Sequence, residues 1–177
     1  MNIFVDRMVR AARLDANLYE EVEADKNTMG QATLVVVLAS VAAGVGHFAT
    51  SGAAYMLVLI IGALLGWYIW AFLTYFIGTR LLPEPQTKAD LGELLRTVGF
   101  ASAPGIIRVF GIIPLLTAVI YLIAALWMLA AMIVAVRQAL DYTSTWRAIA
   151  VCVIGWVIQG VVLTVIILAL GGDATPM

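Results

Sequence analysis

The sequence predicts an all-α, polytopic membrane protein with five transmembrane helices and an N-terminal amphipathic interfacial helix. Hydrophobic residues make up 63% of the 177 residues and charged residues only 12%, about half of the charged fraction in soluble domains. Mean hydropathy is +1.02. The apolar residues form blocks of about 20 residues or more, the length that a helix needs to cross the bilayer while satisfying its own backbone hydrogen bonds.

The N-terminal segment, residues 1–28, begins with an amphipathic helix. Its apolar arc consists of Phe4, Val5, Met8, Val9, Ala12 and Ala16. Arg7, Arg10 and Arg13 lie opposite this arc, which indicates a helix in the cytoplasmic interface; docking on the protein's own spans is the alternative. The three arginines are candidate contacts to lipid or to a partner. The acidic stretch Tyr19–Lys26 predicts a helix face turned to water or to a basic partner.

Residues 29–171 form the predicted membrane domain, and residues 172–177 a short external tail. The apolar blocks are Met29–Ala49, Ala53–Thr79, Val98–Val136 and Ala148–Leu170. The third block is nearly twice as long as one span, and Gly111 to Pro114 supply a break because proline removes a backbone donor. A tight turn there gives five spans, whereas a re-entrant loop through Gly99–Pro114 gives four.

The inner connection after the second span has its own turn signals. In it, Pro83 and Pro85 predict a stiff corner, and Thr87 followed by Asp90 predicts a capped helix start.

Cations favour the five-span topology, since Lys and Arg are retained on the cytoplasmic side. It places nine of them inside: Arg7, Arg10, Arg13, Lys26, Arg80, Lys88, Arg96, Arg137 and Arg147. Only Arg108 is left outside, about 21 Å along the third helix. Its side chain is expected to reach the outer headgroups; pairing with a partner's carboxylate or a lipid phosphate, and packing inside the bundle, are the alternatives. The N-terminus is then cytoplasmic and the C-terminus external.

Small and aromatic residues mark helix surfaces in the spans. Gly62 and Gly66 form a GxxxG pair, which lets helices approach closely, either within the chain or with another one. Trp67 and Trp70 fall near mid-membrane, and Gln159 is a strongly polar residue inside the last span. These five are candidate contacts to a membrane-protein partner, a second copy or a lipid, with ordinary packing as the alternative.

The sequence offers no catalytic, cofactor or metal motif. The single histidine, His47, lies at the outer end of the first span, and the single cysteine, Cys152, lies inside the last apolar block. A net charge of −1 gives no attraction to nucleic acid. We therefore expect no enzyme, no cofactor and no nucleic-acid partner.

Three stretches resemble one known family. They are "LYEEVEADKNTMGQA" (Leu18–Ala32), "LGELLRTVGFASAPGIIRVFGIIP" (Leu91–Pro114) and "STWRAIAV" (Ser144–Val151). Together they resemble the Yip family, membrane proteins named for interaction with Ypt/Rab GTPases, and especially its short bacterial members. The resemblance implies a five-span fold with a cytoplasmic N-terminus. Rab binding is not carried over, because the N-terminal region is short and the family's Asp-Leu-Tyr-Gly-Pro signature is missing.

The sequence and the resemblance together predict a non-enzymatic protein of the bacterial inner membrane. It would organise the bilayer or act as an accessory subunit of a larger membrane complex through helix contacts. A small transporter or channel component that uses the broken third helix is the alternative.

Overall fold

The computed structural model describes residues 2–113 and 115–171, with side chains except those of residues 46–55, 163 and 166–171. The predicted tail, the side chain of His47 and Pro114 itself lie outside the described residues. The chain is 84% helical. Its α-helices are α1 (Ile3–Ala12), α2 (Ala16–Ala24), α3 (Met29–Phe76), α4 (Leu91–Phe100), α5 (Thr117–Ala139) and α6 (Thr145–Gly171). A 3₁₀ turn at Lys26–Thr28, a π turn at Ile77–Leu81 and a long 3₁₀ helix at Ala103–Ile112 complete the described elements.

Among the described residues, five segments are long and apolar enough to cross a membrane, which confirms the five-span prediction. They are Lys26–Val45, Met56–Leu81, Leu91–Ile112, Thr117–Ala139 and Thr145–Val162, called here the first to fifth spans. The third span ends at Ile112 and the fourth begins at Thr117, so the chain turns between these two residues, next to the break that the sequence predicts. The end of the bundle that carries this turn is called the distal end.

The first two spans both belong to α3, which has 48 residues. A straight helix would place Gly44 and Met56 about 18 Å apart. In the structure a Cβ atom built on Gly44 lies 3.2 Å from Met56 Cγ, so the chain reverses direction between these residues. The predicted outer link between the first two spans lies in this segment.

The third span consists of two unlike halves. Its first half is α4, whose N-cap is Asp90 and whose third residue, Glu93, completes a capping box. The predicted capping role of Thr87 is wrong, because its hydroxyl accepts instead from the backbone N–H of Glu84 at 3.0 Å. The second half of the third span is the 3₁₀ helix Ala103–Ile112, with Pro104 in the first turn of this helix.

The α1–α2 hairpin docks on the flank of the bundle. Leu18, Tyr19 and Val22 of α2 are fully buried against residues of α3, α4 and α5. Trp127 Nε1 donates to the Ala12 carbonyl at 2.6 Å, and Arg96 donates to the carbonyls of Val22 and Glu23 at the end of α2. These donors satisfy backbone oxygens that helix ends leave unpaired, so the hairpin is held by the spans themselves.

Candidate functional site

A cavity of about 740 Å³ lies between the spans, and all five contribute to its wall. Six of the residues singled out in the sequence line it: Gly62, Gly66, Trp67, Trp70, Arg108 and Gln159. The remaining three candidates, Arg7 and Arg10 of α1 and its C-cap Arg13, are not among the lining residues. The structure thus brings together side chains that sequence spacing could only consider one span at a time.

The cavity is open on one side and closed at its floor. Val58 of the second span and Trp156 of the fifth span are 64% and 60% exposed, so the opening lies between these spans. Trp70 and Val98, by contrast, are 6% and 1% exposed and form part of the floor. In a bilayer this opening would face the acyl chains, so a membrane-embedded group can reach the cavity laterally.

The GxxxG face of the second span borders the cavity, and no helix of the described residues packs against it. A Cβ atom at Gly62 or at Gly66 would meet no heavy atom within 4 Å. Gly99 differs, since its Cβ would lie 2.8 Å from the Cβ of Ala32, where α4 approaches the first span closely. The intrachain packing considered for Gly62 and Gly66 is therefore not what the structure shows.

The 3₁₀ helix places Arg108 on the cavity wall. With three residues per turn, Ser102, Gly105 and Arg108 stack on one edge of the third span. Arg108 Nε donates to the Gly105 carbonyl at 3.0 Å, so the side chain folds back along its own helix. A Cβ at Gly105 would lie 2.5 Å from Arg108 Nη2 and 2.8 Å from Met128 Sδ, so a side chain at this position would have to displace the guanidinium from its present place.

The Arg108 guanidinium has no counter-charge in the described residues. No ion pair with a carboxylate forms within 4.0 Å, although this arginine lies inside a span. Its contact with the Gly105 carbonyl occupies one of five N–H donors. The remaining donors face a cavity whose wall is mostly apolar, so the site is cationic at one point.

Other polar groups on the wall differ in how they are satisfied. Trp67 Nε1 donates to the Leu95 carbonyl at 2.9 Å and ties the second span to α4. Trp70 Nε1 is buried and has no partner among the described residues. The Gln159 amide lines the cavity and forms no hydrogen bond with the described part of the chain. Mid-membrane donors therefore remain available in this region.

Two of the N-terminal arginines bind the chain's own carboxylates. Arg7, only 7% exposed, pairs with Glu21 at 2.8 Å and with Asp25 at 3.4 Å. Arg10 pairs with Glu21 at 2.6 Å and with Asp15 at 2.8 Å, and its hydrogen bonds lower the pKa of both carboxyls. The basic partner of the acidic stretch is thus α1 itself. 

Arg13 is exposed and forms no ion pair with a described residue. It remains a candidate for contact with a headgroup.

Several lining residues were not expected from the sequence: Ser102, Met128, Met132 and Trp156. A signal existed for Trp156, which lies three residues before Gln159 and so on the same helix face. Ser102 aligns with Arg108 only in a 3₁₀ helix, which the sequence did not predict. The two methionines are ordinary apolar residues in sequence, and only the packing of the fourth span brings them to the wall.

Comparison with known proteins gives one match. The family model described as the Yip1 domain matches residues 18–167, which is most of the chain. No curated protein and no solved structure matches the chain.

Proposed function

Because the chain belongs to the Yip1 domain family, we propose that it is a non-enzymatic membrane protein that organises the bilayer or accompanies a larger membrane complex. The resemblance to short bacterial members of the family supports a location in the bacterial inner membrane, and the distribution of cations supports a cytoplasmic N-terminus and an external C-terminus. Proteins of this family are generally not enzymes, which agrees with the lack of a catalytic motif in the sequence.

The protein contacts its partner from within the bilayer, through the open cavity. The observation that carries this proposal is the uncovered face at Gly62 and Gly66, together with the space of about 740 Å³ in front of it. Lipid chains are as apolar as the spans, so close packing rather than a hydrophobic drive decides what binds there. An open, small-residue face offers such packing to a membrane-embedded group.

A bulky substitution at Gly66 tests this proposal. The Cβ atom of Gly66→Phe would have no heavy atom within 4 Å, and Gly66 lines the cavity, so the variant is expected to fold and its ring to fill part of the cavity. Gly160→Phe is the matched control, because Gly160 also has no neighbour within 4 Å but does not line the cavity.

Native mass spectrometry after gentle extraction measures the result. We expect wild-type protein and Gly160→Phe to retain a bound lipid or protein subunit that Gly66→Phe loses. Equal bound masses in all three proteins would show that the cavity is not where the partner binds.

A transport role is the second candidate, and the 3₁₀ half of the third span favours it. Irregular helices that line a cavity at membrane depth are typical of transporters, and Arg108 lies on this one. Reconstitution of the purified protein into liposomes separates the two functions. An accessory protein leaves ion and solute permeability unchanged, whereas flux that stops in Gly66→Phe supports transport.

A further inference from the structure

We infer that the cavity binds an anionic lipid of the distal leaflet, with the lipid phosphate on Arg108 and one acyl chain against the apolar wall. This inference rests on the proposed function, since it names the group that occupies the same cavity. It draws on the charge of the site, on its depth and on its opening.

The charge of the site selects an anion. Arg108 keeps its charge at every physiological pH, and a cation inside a span without a counter-charge is costly. No carboxylate among the described residues neutralises it. The guanidinium fork matches two oxygens of a phosphate, and its only described hydrogen bond, to the Gly105 carbonyl, leaves such donors free.

The depth of the site fits a lipid that stands in the distal leaflet. Arg108 lies four residues before the end of the 3₁₀ helix, about 8 Å below the distal end at the 3₁₀ rise. Trp70, at the floor, lies 14 residues after Met56, or about 21 Å below the same end. The phosphate is therefore placed near the surface, and the apolar wall continues below it for the length of part of an acyl chain.

The opening of the site gives a lipid a path from the bilayer. Val58 and Trp156 are exposed at the mouth, so a chain can enter sideways without opening the bundle. Gly62 and Gly66 leave the wall smooth where the acyl chain would lie. Gln159, on the wall formed by the fifth span, offers an amide to an ester carbonyl of the same lipid.

The test compares lipids that differ in charge. Wild-type protein, Arg108→Gln and Arg108→Lys are placed in nanodiscs that contain phosphatidylglycerol and phosphatidylcholine in equal amounts, and the lipids retained after release are counted by native mass spectrometry. We expect the wild type to retain phosphatidylglycerol preferentially. Arg108→Gln is expected to lose about tenfold or more of this preference, because it loses a charge-assisted bidentate contact. Arg108→Lys keeps the charge but not the fork and is expected to fall between them.

A second measurement separates binding from a structural role of the arginine. Phosphatidylglycerol should raise the thermal stability of the wild type more than phosphatidylcholine does, and this difference should vanish in Arg108→Gln. Excess inorganic phosphate should not displace the lipid, since it lacks the acyl chain. If Arg108→Gln fails to fold, Arg108→Lys decides, because it retains the charge.

The outcomes distinguish this inference from the proposed function. Equal retention of the two lipids, or a preference that Arg108→Gln and Arg108→Lys both retain in full, overturns the lipid inference. A bound protein subunit that Gly66→Phe displaces also overturns it, while leaving the proposed function intact. A bound mass that Gly66→Phe does not displace refutes the cavity as the partner's binding site, and with it the lipid inference, whereas the absence of any bound lipid or subunit in the wild type refutes the proposed function itself.

Discussion

The docking of α2 is expected to weaken as the pH rises, because Glu23 is partly buried near other acids. Burial, together with the negative charges of Glu93, Asp141 and Glu20, raises the pKa of Glu23 from an ordinary 4.5 to about 7, against the opposing charge of Arg96. The folded protein then holds a proton on Glu23 between pH 4.5 and 7 that the unfolded chain has released. Stability must fall as the pH rises through this window. A shift of this size corresponds to about 3 kcal/mol, at 1.36 kcal/mol per pKa unit.

Glu23→Gln removes this cost and so isolates it. Hydrogen exchange of the α2 amides, followed from pH 5 to pH 8 and corrected for intrinsic exchange, gives the free energy of local opening. We expect wild-type α2 to lose about 3 kcal/mol of protection over this range and the variant to lose almost none. Glu20→Gln is the control, since Glu20 is exposed on the same helix and should leave most of the slope in place. The hydrogen bonds of Arg10 lower the pKa of Asp15 and of Glu21, so these two carboxyls titrate below their ordinary values and outside this window.

Wild-type protection that is constant or rises between pH 5 and 8 would contradict this reasoning. An unchanged slope in Glu23→Gln would show that another group is responsible.

Three further substitutions test the packing around the cavity and the hairpin. Gly99→Ala should lower the thermal stability by up to about 2 kcal/mol, because overpacking against the first span outweighs the gain in helix propensity. Gly66→Ala is the control and should be neutral or stabilising, since its Cβ meets no neighbour. Equal effects of the two substitutions would contradict the close approach of α4 to the first span. Trp67→Phe should lower the free energy of thermal unfolding by at least about 1 kcal/mol more than Trp70→Phe does, since only Trp67 loses a hydrogen bond. The reverse order would show that the hydrogen bond from Trp67 to Leu95 does not stabilise the fold. Arg7→Gln should lower the hydrogen-exchange protection of α1 by about 2 kcal/mol, because its ion pairs with Glu21 and Asp25 are lost. Unchanged protection would show that apolar contacts alone hold the helix.

The number of spans could be predicted because it depends on local composition. Apolar blocks of the right length cross the bilayer whatever they pack against. A break at Gly111–Pro114 could be predicted because glycine loosens a helix and proline lacks a backbone N–H donor. The position of α1 could not be predicted in the same way. Its docking depends on Arg7 and Arg10 meeting Glu21, and residues this far apart in sequence meet only in the folded chain.

The candidate site shows the same division. Spacing identifies Gly62 and Gly66 as one small-residue face, but it does not say what covers that face. Charge identifies Arg108 as unusual, but the direction in which its side chain leaves the third span depends on the 3₁₀ conformation of residues 103–112. Sequence reasoning therefore singled out six residues that line the cavity, but it could not place them around one cavity.

The 3₁₀ conformation is what links the third span to the charge of the cavity. Three residues turn a 3₁₀ helix through a full circle but an α-helix through only about 300°, so an α-helical third span would rotate Arg108 about 60° away from the edge that carries Ser102 and Gly105. A 3₁₀ helix of ten residues is long for this conformation, and its hydrogen bonds are weaker than those of an α-helix. A ligand that binds Arg108 in its present position binds the 3₁₀ form in preference to an α-helical one and must stabilise it by that difference. The hydrogen-exchange protection of the backbone amides in residues 103–112 is therefore expected to rise when an anionic lipid binds. This includes amides that the acyl chain does not contact.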